Sequence, residues 1–434
     1  STALARVRRA QSRRRARSPQ TTVRSELTRL LRQHAIAPAT YAADNASFNS
    51  ALAAERHLTG TRRAELTAVT QTLHQIAAAR GFVPSRLPAL FATLDRNRQW
   101  WTSGPLLASG QRVEFAGSQL VWEYYPGQGL QIQVLGNFGK VNGLYESGVA
   151  NYGAMQQLLG ELIPLAVRRG GGLAWEYYFH FDGGSPPWTS AMSQATGLQA
   201  LSNAYLATHN PYYLQVAASA LPLFNAPPPA GVQIRTPLGA RYLQYTFAPT
   251  VSIINAFLQT LVGLDTYARV SGNQTAAQLF AAGNAEAVAE VPSFDTGAWS
   301  LYQPGLEDDL SYHELVTGFL LQLCQMTGAP VYCTTAQHFQ AYLKIPPVLQ
   351  QLTGTARKGH SITLGFRLSK VSHVGVTITQ GNTTKFLTSA NFPYGRQSFT
   401  IPALRSPGTY GVRLTATDLA GNYAAVTGTL QITR

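Results

Sequence analysis

Two tyrosines and a histidine stand close together in the chain, and their side chains can transfer protons. Tyr302 ends the aromatic segment 294–302, and Tyr312 and His313 follow ten residues later. A phenol holds its proton at neutral pH because its pKa is about 10, and a neighbouring cation or a dry pocket shifts that pKa toward use in catalysis. The surrounding region is predicted to be helical and carries little charge. The segment therefore suits general acid and base chemistry at a carbon atom.

Two upstream segments carry further polar and aromatic side chains. The first reads Trp188-Thr189-Ser190-Ala191-Met192-Ser193-Gln194, and the second contains Tyr242-Leu243-Gln244-Tyr245 and Ile254-Asn255-Ala256-Phe257. Together with Phe294-Asp295-Thr296-Gly297, Tyr302 and Tyr312-His313, these blocks resemble the catalytic region of the D-glucuronyl C5-epimerase family. Their order and spacing carry the resemblance, which covers residues 188–313.

The resemblance implies a reaction at C5 of a glucuronyl residue within an acidic polysaccharide. The family removes the C5 proton and returns one to the opposite face, which needs a base, an acid and a group that stabilises charge on the C6 carboxylate. The proton-transfer tyrosines of the family correspond here to Tyr245, Tyr302 and Tyr312. We expect Tyr302 and Tyr312 to be the opposed acid and base, with Tyr245 as a helper. The resemblance implies no cofactor, and it implies homodimer formation.

Ten further residues are predicted to contact the substrate. They are His180, Trp188, Ser190, Gln194, Arg235, Arg241, Gln244, Asn255, Trp299 and His313. The two tryptophans are either sugar platforms or core residues. His313 either orients the substrate and tunes Tyr312 or is packed in the core.

The chain departs from the family pattern at two places. Gln244 stands where the family has Glu, and Gln303-Pro304-Gly305 stands where the family has Asp-Leu-Arg. Neutralising the substrate carboxylate then falls to Arg235, Arg241, Lys140 or His180. Two rival functions stay open, namely a polysaccharide lyase on uronic-acid polymers and a non-catalytic glycan-binding protein on the same fold. A glycoside hydrolase is disfavoured because the acidic residues of segment 307–314 are expected at a helix start anyway.

The predicted fold is mainly α, an (α/α) toroid with a β-hairpin insertion and a C-terminal immunoglobulin-like β-sandwich. Residues 34–112 show apolar positions at helical spacing and are predicted to pack on the toroid. The toroid spans 113–350 and includes a hairpin at 113–136, where the apolar period changes to two. Short alternating runs rich in Ser, Thr and Val, at 361–368, 373–379, 409–417 and 424–433, predict the strands of a sandwich over 351–434.

The net charge of +14 is concentrated at the start of the chain. Residues 1–33 contain ten arginines and one acidic residue, Glu26, which predicts a disordered basic arm. Such an arm suits electrostatic contact with an anionic polysaccharide better than specific recognition of nucleic acid.

Cys324 and Cys333 are the only cysteines and flank a short turn. They are predicted to form a disulfide, which indicates a secreted or cell-envelope protein. No metal site is expected, because no other Cys or His stands at ligand spacing. No apolar run is long enough for a transmembrane helix.

Overall fold

The computed structural model describes residues 22–434, and the chain divides into two compact units. The first unit contains the residues up to Val232 together with Tyr245–Ala248. The second unit contains Gln233–Gln244 and Pro249–Arg434. Each unit has its own helices and sheets.

The first unit is mainly helical. Its α-helices are α1 (Val23–Arg32), α2 (Pro38–His57), α3 (Gly60–Ala78), α4 (Leu87–Ser103), α5 (Val134–Glu146), α6 (Tyr152–Leu162), α7 (Ala191–Thr208) and α8 (Pro211–Ala220). Its strands are β1 (Arg112–Val113), β2 (Trp122–Tyr125), β3 (Gly129–Ile132), β4 (Val167–Arg169) and β5 (Gly172–Ala174). Strands β1, β2 and β3 form one antiparallel sheet, and β4 pairs with β5. The structure thus places a hairpin inside the segment where one is predicted.

Helix α1 corrects the prediction of a disordered arm over residues 1–33. Residues 1–21 lie outside the described part of the chain, but Val23–Arg32 is a helix with a buried apolar face. Glu26 is 1% exposed, and its carboxylate lies 2.6 Å from the guanidinium of Arg80. The sequence did not reveal this ion pair because its two partners are far apart along the chain.

Two buried side chains from α3 and α4 hold the hairpin of β2 and β3. The carboxylate of Glu65 accepts hydrogen bonds from the Tyr124 hydroxyl, Gly127 N and Gly129 N at 2.7, 2.9 and 2.9 Å. The side chain of Asn97 bonds both the N–H and the C=O of one residue in β3. The hairpin is therefore fixed at its turn and along its strand.

The second unit begins with short hairpins and four helices. The hairpins pair β6 (Gln233–Arg235) with β7 (Ala240–Tyr242), and β8 (Leu301–Gln303) with β9 (Leu306–Glu307). The helices are α9 (Ile254–Ser271), α10 (Gln274–Glu290), α11 (Leu310–Thr327) and α12 (Pro330–Tyr342).

Both units alternate a deeply buried helix with a more exposed one. Helices α7 and α9 are buried on nearly all sides, whereas α8 and α10 bury only one face. Helix α7 packs against α8, α9 against α10, and α11 against α12. The mainly helical class is confirmed, and closure of the helices into an (α/α) toroid stays a prediction.

The last part of the second unit consists of two sheets around one apolar core. Its strands are β10 (Leu349–Gln351), β11 (Thr355–Arg357), β12 (Ile362–Leu368), β13 (Ser372–Gln380), β14 (Thr383–Phe392), β15 (Gly395–Ile401), β16 (Gly408–Asp418) and β17 (Tyr423–Thr433). The sheet orders are β10-β12-β15 and β11-β17-β16-β13-β14. Alternate residues from both sheets share one core. The sandwich is present, and its immunoglobulin-like topology stays a prediction.

One buried ion pair ties the sandwich to the helical part of the second unit. Lys370 is 1% exposed, and its ammonium lies 2.5 Å from Oδ2 of Asp418. The ammonium also donates to the carbonyl oxygens of Tyr342 and Ile345 at the end of α12. It lies 5.3 Å from the ring centroid of Trp299. The turn between β12 and β13 is thereby fixed to two earlier segments.

The predicted disulfide between Cys324 and Cys333 is present, with Cα atoms 4.9 Å apart. It joins α11 to α12. Among residues 22–434, none of the helices combines the length and the apolar character needed to cross a bilayer.

Replacing Lys370 with Met leaves the carboxylate of Asp418 buried without its cation. We expect Lys370→Met to lower the free energy of unfolding by about 3–5 kcal/mol, measured by urea unfolding, because an unpaired buried charge is costly. The double variant Lys370→Met/Asp418→Asn should recover most of that loss, since an amide needs no counter-charge. Equal stability of Lys370→Met and the parent protein would contradict the role given to this pair.

Candidate active site

The two tyrosines predicted to transfer protons are neighbours in the second unit. Tyr302 is the middle residue of β8, and Tyr312 lies in the first turn of α11. Their ring centroids are 5.0 Å apart, with 52° between the ring planes. Tyr312 is 39% exposed and Tyr302 is partly exposed. These two residues, called the tyrosine pair below, therefore share one solvent-accessible surface.

Local sequence fixes the backbone on both sides of the tyrosine pair. The carboxylate of Asp309 caps α11 by accepting a hydrogen bond from Tyr312 N at 2.8 Å. The hairpin that carries Tyr302 turns at Gly305, whose φ of +82° favours glycine. The helix start therefore fixes the backbone of Tyr312, and the tight hairpin fixes that of Tyr302.

The ring contact limits how a substrate can approach the tyrosine pair. A sugar between two aromatic rings would need centroids about 7–8 Å apart, since each face contact takes about 3.5–4 Å. At 5.0 Å no sugar ring fits between the two phenols. A reacting carbon must therefore meet the hydroxyl groups at their tips, outside the ring contact.

His313 and Trp299 are core residues that position the tyrosine pair. Both side chains are 0% exposed, and their rings stack with centroids 3.8 Å apart. Nδ1 of His313 lies 2.7 Å from the Ser300 hydroxyl, and Nε2 lies 2.9 Å from the carbonyl oxygen of Phe339. Packing buries both rings completely, which favours the core alternative for His313 and Trp299 over direct contact with the substrate.

Asp308, Ser300 and His313 form a buried polar chain. The Ser300 hydroxyl lies 2.5 Å from Oδ2 of Asp308 and 2.7 Å from Nδ1 of His313. Nε2 of His313 faces a carbonyl oxygen, so that nitrogen carries a proton. The serine supplies one proton for two hydrogen bonds. A second proton must therefore sit on Asp308 or on Nδ1 of His313.

Burial favours placing this second proton on the aspartate. Loss of solvent raises the pKa of Asp308 to about 6, against a smaller opposing effect of the Ser300 hydrogen bond. Loss of solvent also lowers the pKa of His313 to about 4, although its hydrogen bond to a carbonyl acts the other way. Both shifts favour neutral forms. In the neutral arrangement, protonated Asp308 donates to Ser300, and Ser300 donates to His313.

Burial and a neighbouring carboxylate keep Tyr312 protonated. Burial raises the pKa of Tyr312 above its ordinary value, and the negative charge of Asp309 raises it further. The hydroxyl of Tyr312 is therefore a proton donor at neutral pH.

Asp295 braces the turn that leads to the tyrosine pair. Its Oδ1 accepts hydrogen bonds from Gly297 N and the Tyr342 hydroxyl at 2.8 and 2.9 Å. Its Oδ2 lies 2.9 Å from Nδ1 of His338. These contacts attach the aromatic segment to α12.

Tyr245 lies in the first unit within a group of aromatic rings. Its ring stacks on Phe247 with centroids 5.1 Å apart, and it contacts Phe181 and Trp188 at 5.6 and 5.7 Å. Tyr245, Phe247 and Phe181 are partly exposed. These four residues, called the aromatic cluster below, offer apolar ring faces to a ligand.

Three residues predicted to bind substrate in the first unit stabilise the fold. Trp188 is 4% exposed, and its indole N–H donates to a backbone carbonyl at 2.9 Å. Ser190 caps α7, and Gln194 is fully buried with its amide bonded to the backbone of Trp175. Direct substrate contact by Ser190 and Gln194, and an exposed sugar platform at Trp188, are therefore corrected.

The cations proposed to neutralise a substrate carboxylate differ in their surroundings. Arg241 is paired with Glu290, and Lys140 lies 2.7 Å from a carboxylate oxygen of Glu114. Arg235 is exposed and forms no ion pair within the described residues. Among these three cations, Arg235 keeps its charge available to a ligand.

The other predicted contacts are polar groups near the surface or at a helix start. His180 in the first unit is exposed, and its Nε2 lies 2.7 Å from Oε1 of Gln75. In the second unit Gln244 is partly exposed, whereas Asn255 is 3% exposed at the start of α9. Substrate contact by His180, Gln244 and Asn255 stays a prediction.

Sequence reasoning missed Ser300, Asp308 and Lys370. Asp308 resembles any acidic residue near a helix start, and Ser300 carries no motif of its own. Only the hydrogen bonds of the folded chain distinguish them. Within residues 22–434, no three His, Cys, Asp or Glu side chains are grouped as metal ligands.

The tyrosine pair lies in a part of the chain that matches a known protein family. Residues 170–341 match the family model described as D-glucuronyl C5-epimerase C-terminus. A D-glucuronyl C5-epimerase of Caenorhabditis elegans is 29% identical over 130 residues, which cover 27% of this chain and 21% of that protein. An uncharacterized protein of Methanocaldococcus jannaschii is 27% identical over 168 residues, covering 37% and 54% of the two chains. The chain therefore spans about half or less of these relatives.

Solved structures align with this chain only weakly. A GH76 alpha-mannanase of Bacteroides thetaiotaomicron has a TM-score of 0.40 at 14% identity, covering 54% of this chain and 66% of that one. A cellobiose 2-epimerase of Bacillus thermoamylovorans has a TM-score of 0.39 at 10% identity, covering 65% and 75%. Scores this low do not establish a common fold.

The buried polar chain predicts how stability depends on pH. The folded pKa of Asp308, about 6, lies above its ordinary value of 3.8. The stabilisation from its bound proton is therefore present at acidic pH and lost as the pH rises through 6. Asparagine also donates to Ser300 and carries no charge. We expect Asp308→Asn to be more stable than the parent by up to about 3 kcal/mol at about pH 7.5, with no advantage at about pH 4, in urea unfolding.

Asp309→Asn is the matched control, because asparagine also caps helices and the change lies one residue away. It should show no comparable pH-dependent gain. If Asp308→Asn is destabilised by the same amount at both pH values, the protonated arrangement of Asp308 is refuted.

Proposed function

Because residues 170–341 belong to the D-glucuronyl C5-epimerase C-terminus family, we propose that this protein is a carbohydrate epimerase acting on uronosyl residues of an acidic polysaccharide. The observation that carries the proposal is the tyrosine pair. The matched segment contains both phenols, side by side on one accessible surface. The activity named for the relative from Caenorhabditis elegans supports the same reaction class.

The proposed reaction breaks one C5–H bond, forms another on the opposite face and leaves the glycosidic bonds of the polymer intact. A base takes the proton from C5, and the electron pair left behind spreads into the C6 carboxylate. An acid then gives a proton to the opposite face of C5, which inverts the configuration. Tyrosine suits both roles, because the protonated phenol can donate a proton and the ionised phenolate is a strong base.

We assign the acid role to Tyr312 and the base role to Tyr302 for a substrate in the glucuronyl form. Burial and the nearby carboxylate of Asp309 hold the proton on Tyr312, which supports its role as donor. The ring contact requires C5 to approach the tips of the two hydroxyl groups. If C5 lies between the two hydroxyl oxygens, at about 3–3.5 Å from each, those oxygens must be about 6–7 Å apart.

Other groups would bind the polymer and balance its charge. Arg235 is our candidate for the substrate carboxylate, because it is exposed and forms no ion pair within the described chain. In the first unit, the aromatic cluster with Tyr245 offers ring faces on which a sugar can pack. The disulfide between Cys324 and Cys333 supports our proposal that the protein acts outside the reducing cytosol.

Exchange and inversion can be measured separately in deuterated water. Heparosan, a polymer of glucuronate and N-acetylglucosamine, is incubated with each variant, and both the label at C5 and the iduronyl content are recorded. We expect Tyr302→Phe to lose both signals by about 100-fold or more, since no base remains. Tyr312→Phe should keep exchange and lose inversion, because Tyr302 can return a deuteron to the face from which it took the proton.

Tyr423→Phe is the matched control, because Tyr423 is 52% exposed and lies in the sandwich. It should behave as the parent does. Absence of C5 label with the parent protein would refute the epimerase proposal. A rise in ultraviolet absorbance with chain shortening would select the lyase instead, and binding without either signal would select a non-catalytic glycan-binding protein.

A further inference from the structure

Positive charge is concentrated in the sandwich as well as in the N-terminal segment. Residues 349–434 contain nine Lys or Arg and a single acidic residue, Asp418, which gives a net charge of +8. Residues 34–342 contain 14 basic and 18 acidic residues, a net charge of −4. The sandwich is therefore the strongly basic part of the described chain.

The single acidic residue of the sandwich already pairs with a lysine of the sandwich. Asp418 is buried against Lys370, which leaves eight cationic side chains in this region. These side chains are Arg357, Lys358, Arg367, Lys385, Arg396, Arg405, Arg413 and Arg434, all exposed. In the described part of the chain, none of the eight forms an ion pair. They are available to an external anion.

Three donor side chains form a row across the three-stranded sheet. The strand register sets Gln350 opposite Arg367 and Arg367 opposite Arg396. Facing residues on neighbouring strands have Cβ atoms about 4.5–5.5 Å apart, and like charges at that distance repel. Arg367 and Arg396 point away from the apolar core. Gln350, Arg367 and Arg396 are called the arginine row below.

A cavity of about 360 Å³ lies beside the arginine row. Its polar lining comes from Thr296, Gln350, Arg367, Ser369 and Tyr394. Tyr394 is 36% exposed, so part of its ring faces solvent. The nearby carboxylate of Glu307 is bonded to the backbone N–H groups of Val371 and Tyr394. The cavity thus combines a guanidinium, hydroxyl and amide groups, and an aromatic ring.

From this arrangement we infer that the arginine row and its cavity are an accessory binding site for an acidic oligosaccharide. Guanidinium groups bind carboxylate or sulfate oxygens in pairs, which relieves the repulsion between Arg367 and Arg396. Hydroxyl and amide groups match sugar hydroxyls, and the ring of Tyr394 offers an apolar face. The choice of a sugar polyanion rests on the proposed function. A nucleic acid would use the same charges and is an outcome of the test.

The test compares two double variants that lose the same charge. Arg367→Gln/Arg396→Gln removes the arginine row, whereas Arg357→Gln/Arg413→Gln removes two exposed arginines from the other sheet. Binding of heparosan to the full chain is measured over a range of salt concentrations. We expect the first variant to bind about 10-fold more weakly, with a shallower salt dependence, and the second to stay within about twofold of the parent.

Equal weakening of both variants would overturn the site, because it would show that net charge alone attracts the polymer. Binding of a DNA duplex with the same dependence on Arg367 and Arg396, and no binding of heparosan, would overturn the sugar assignment. The proposed function fails by a different readout, namely absence of C5 exchange by the parent protein. Binding and exchange can therefore fail separately.

Discussion

The stack of Trp299 on His313 is the contact on which the candidate site depends. Both rings are fully buried, and their backbones continue directly into the strand with Tyr302 and the helix with Tyr312. The Ser300 hydroxyl joins the same two segments through Asp308 and His313. A change in either ring would separate strand from helix, so the positions of the two phenols follow from core packing.

Much of the local structure could be predicted from the sequence. The acidic helix start at Asp309, the β2–β3 hairpin and the spacing of Cys324 and Cys333 are local features. Their physical cause lies within a few residues, where capping and turn chemistry act. The strands predicted over 361–368, 373–379, 409–417 and 424–433 also lie close to β12, β13, β16 and β17.

Contacts between distant residues could not be predicted in this way. The burial of Glu26 depends on Arg80, that of Lys370 on Asp418, and the buried polar chain of Asp308 on Ser300 and His313. Strand β14 was missed because nearly all of its residues are exposed and show no clear apolar period. Strand β15 alternates in burial, but only Phe399 and Ile401 are buried, so its apolar signal is short. For the same reason His313 and Gln194 were assigned to the substrate, since a sequence motif does not tell a buried supporting side chain from an exposed binding one.

Charge is unevenly distributed over the described chain. The helical part carries the tyrosine pair with a slight excess of acid, whereas the sandwich carries exposed cations and the arginine row. The most direct test is a crystal structure with a glucuronate-containing oligosaccharide. We predict a uronosyl C5 at about 3–3.5 Å from a hydroxyl of Tyr302 or Tyr312. An oligosaccharide bound with every uronosyl C5 remote from both hydroxyl groups would contradict the account.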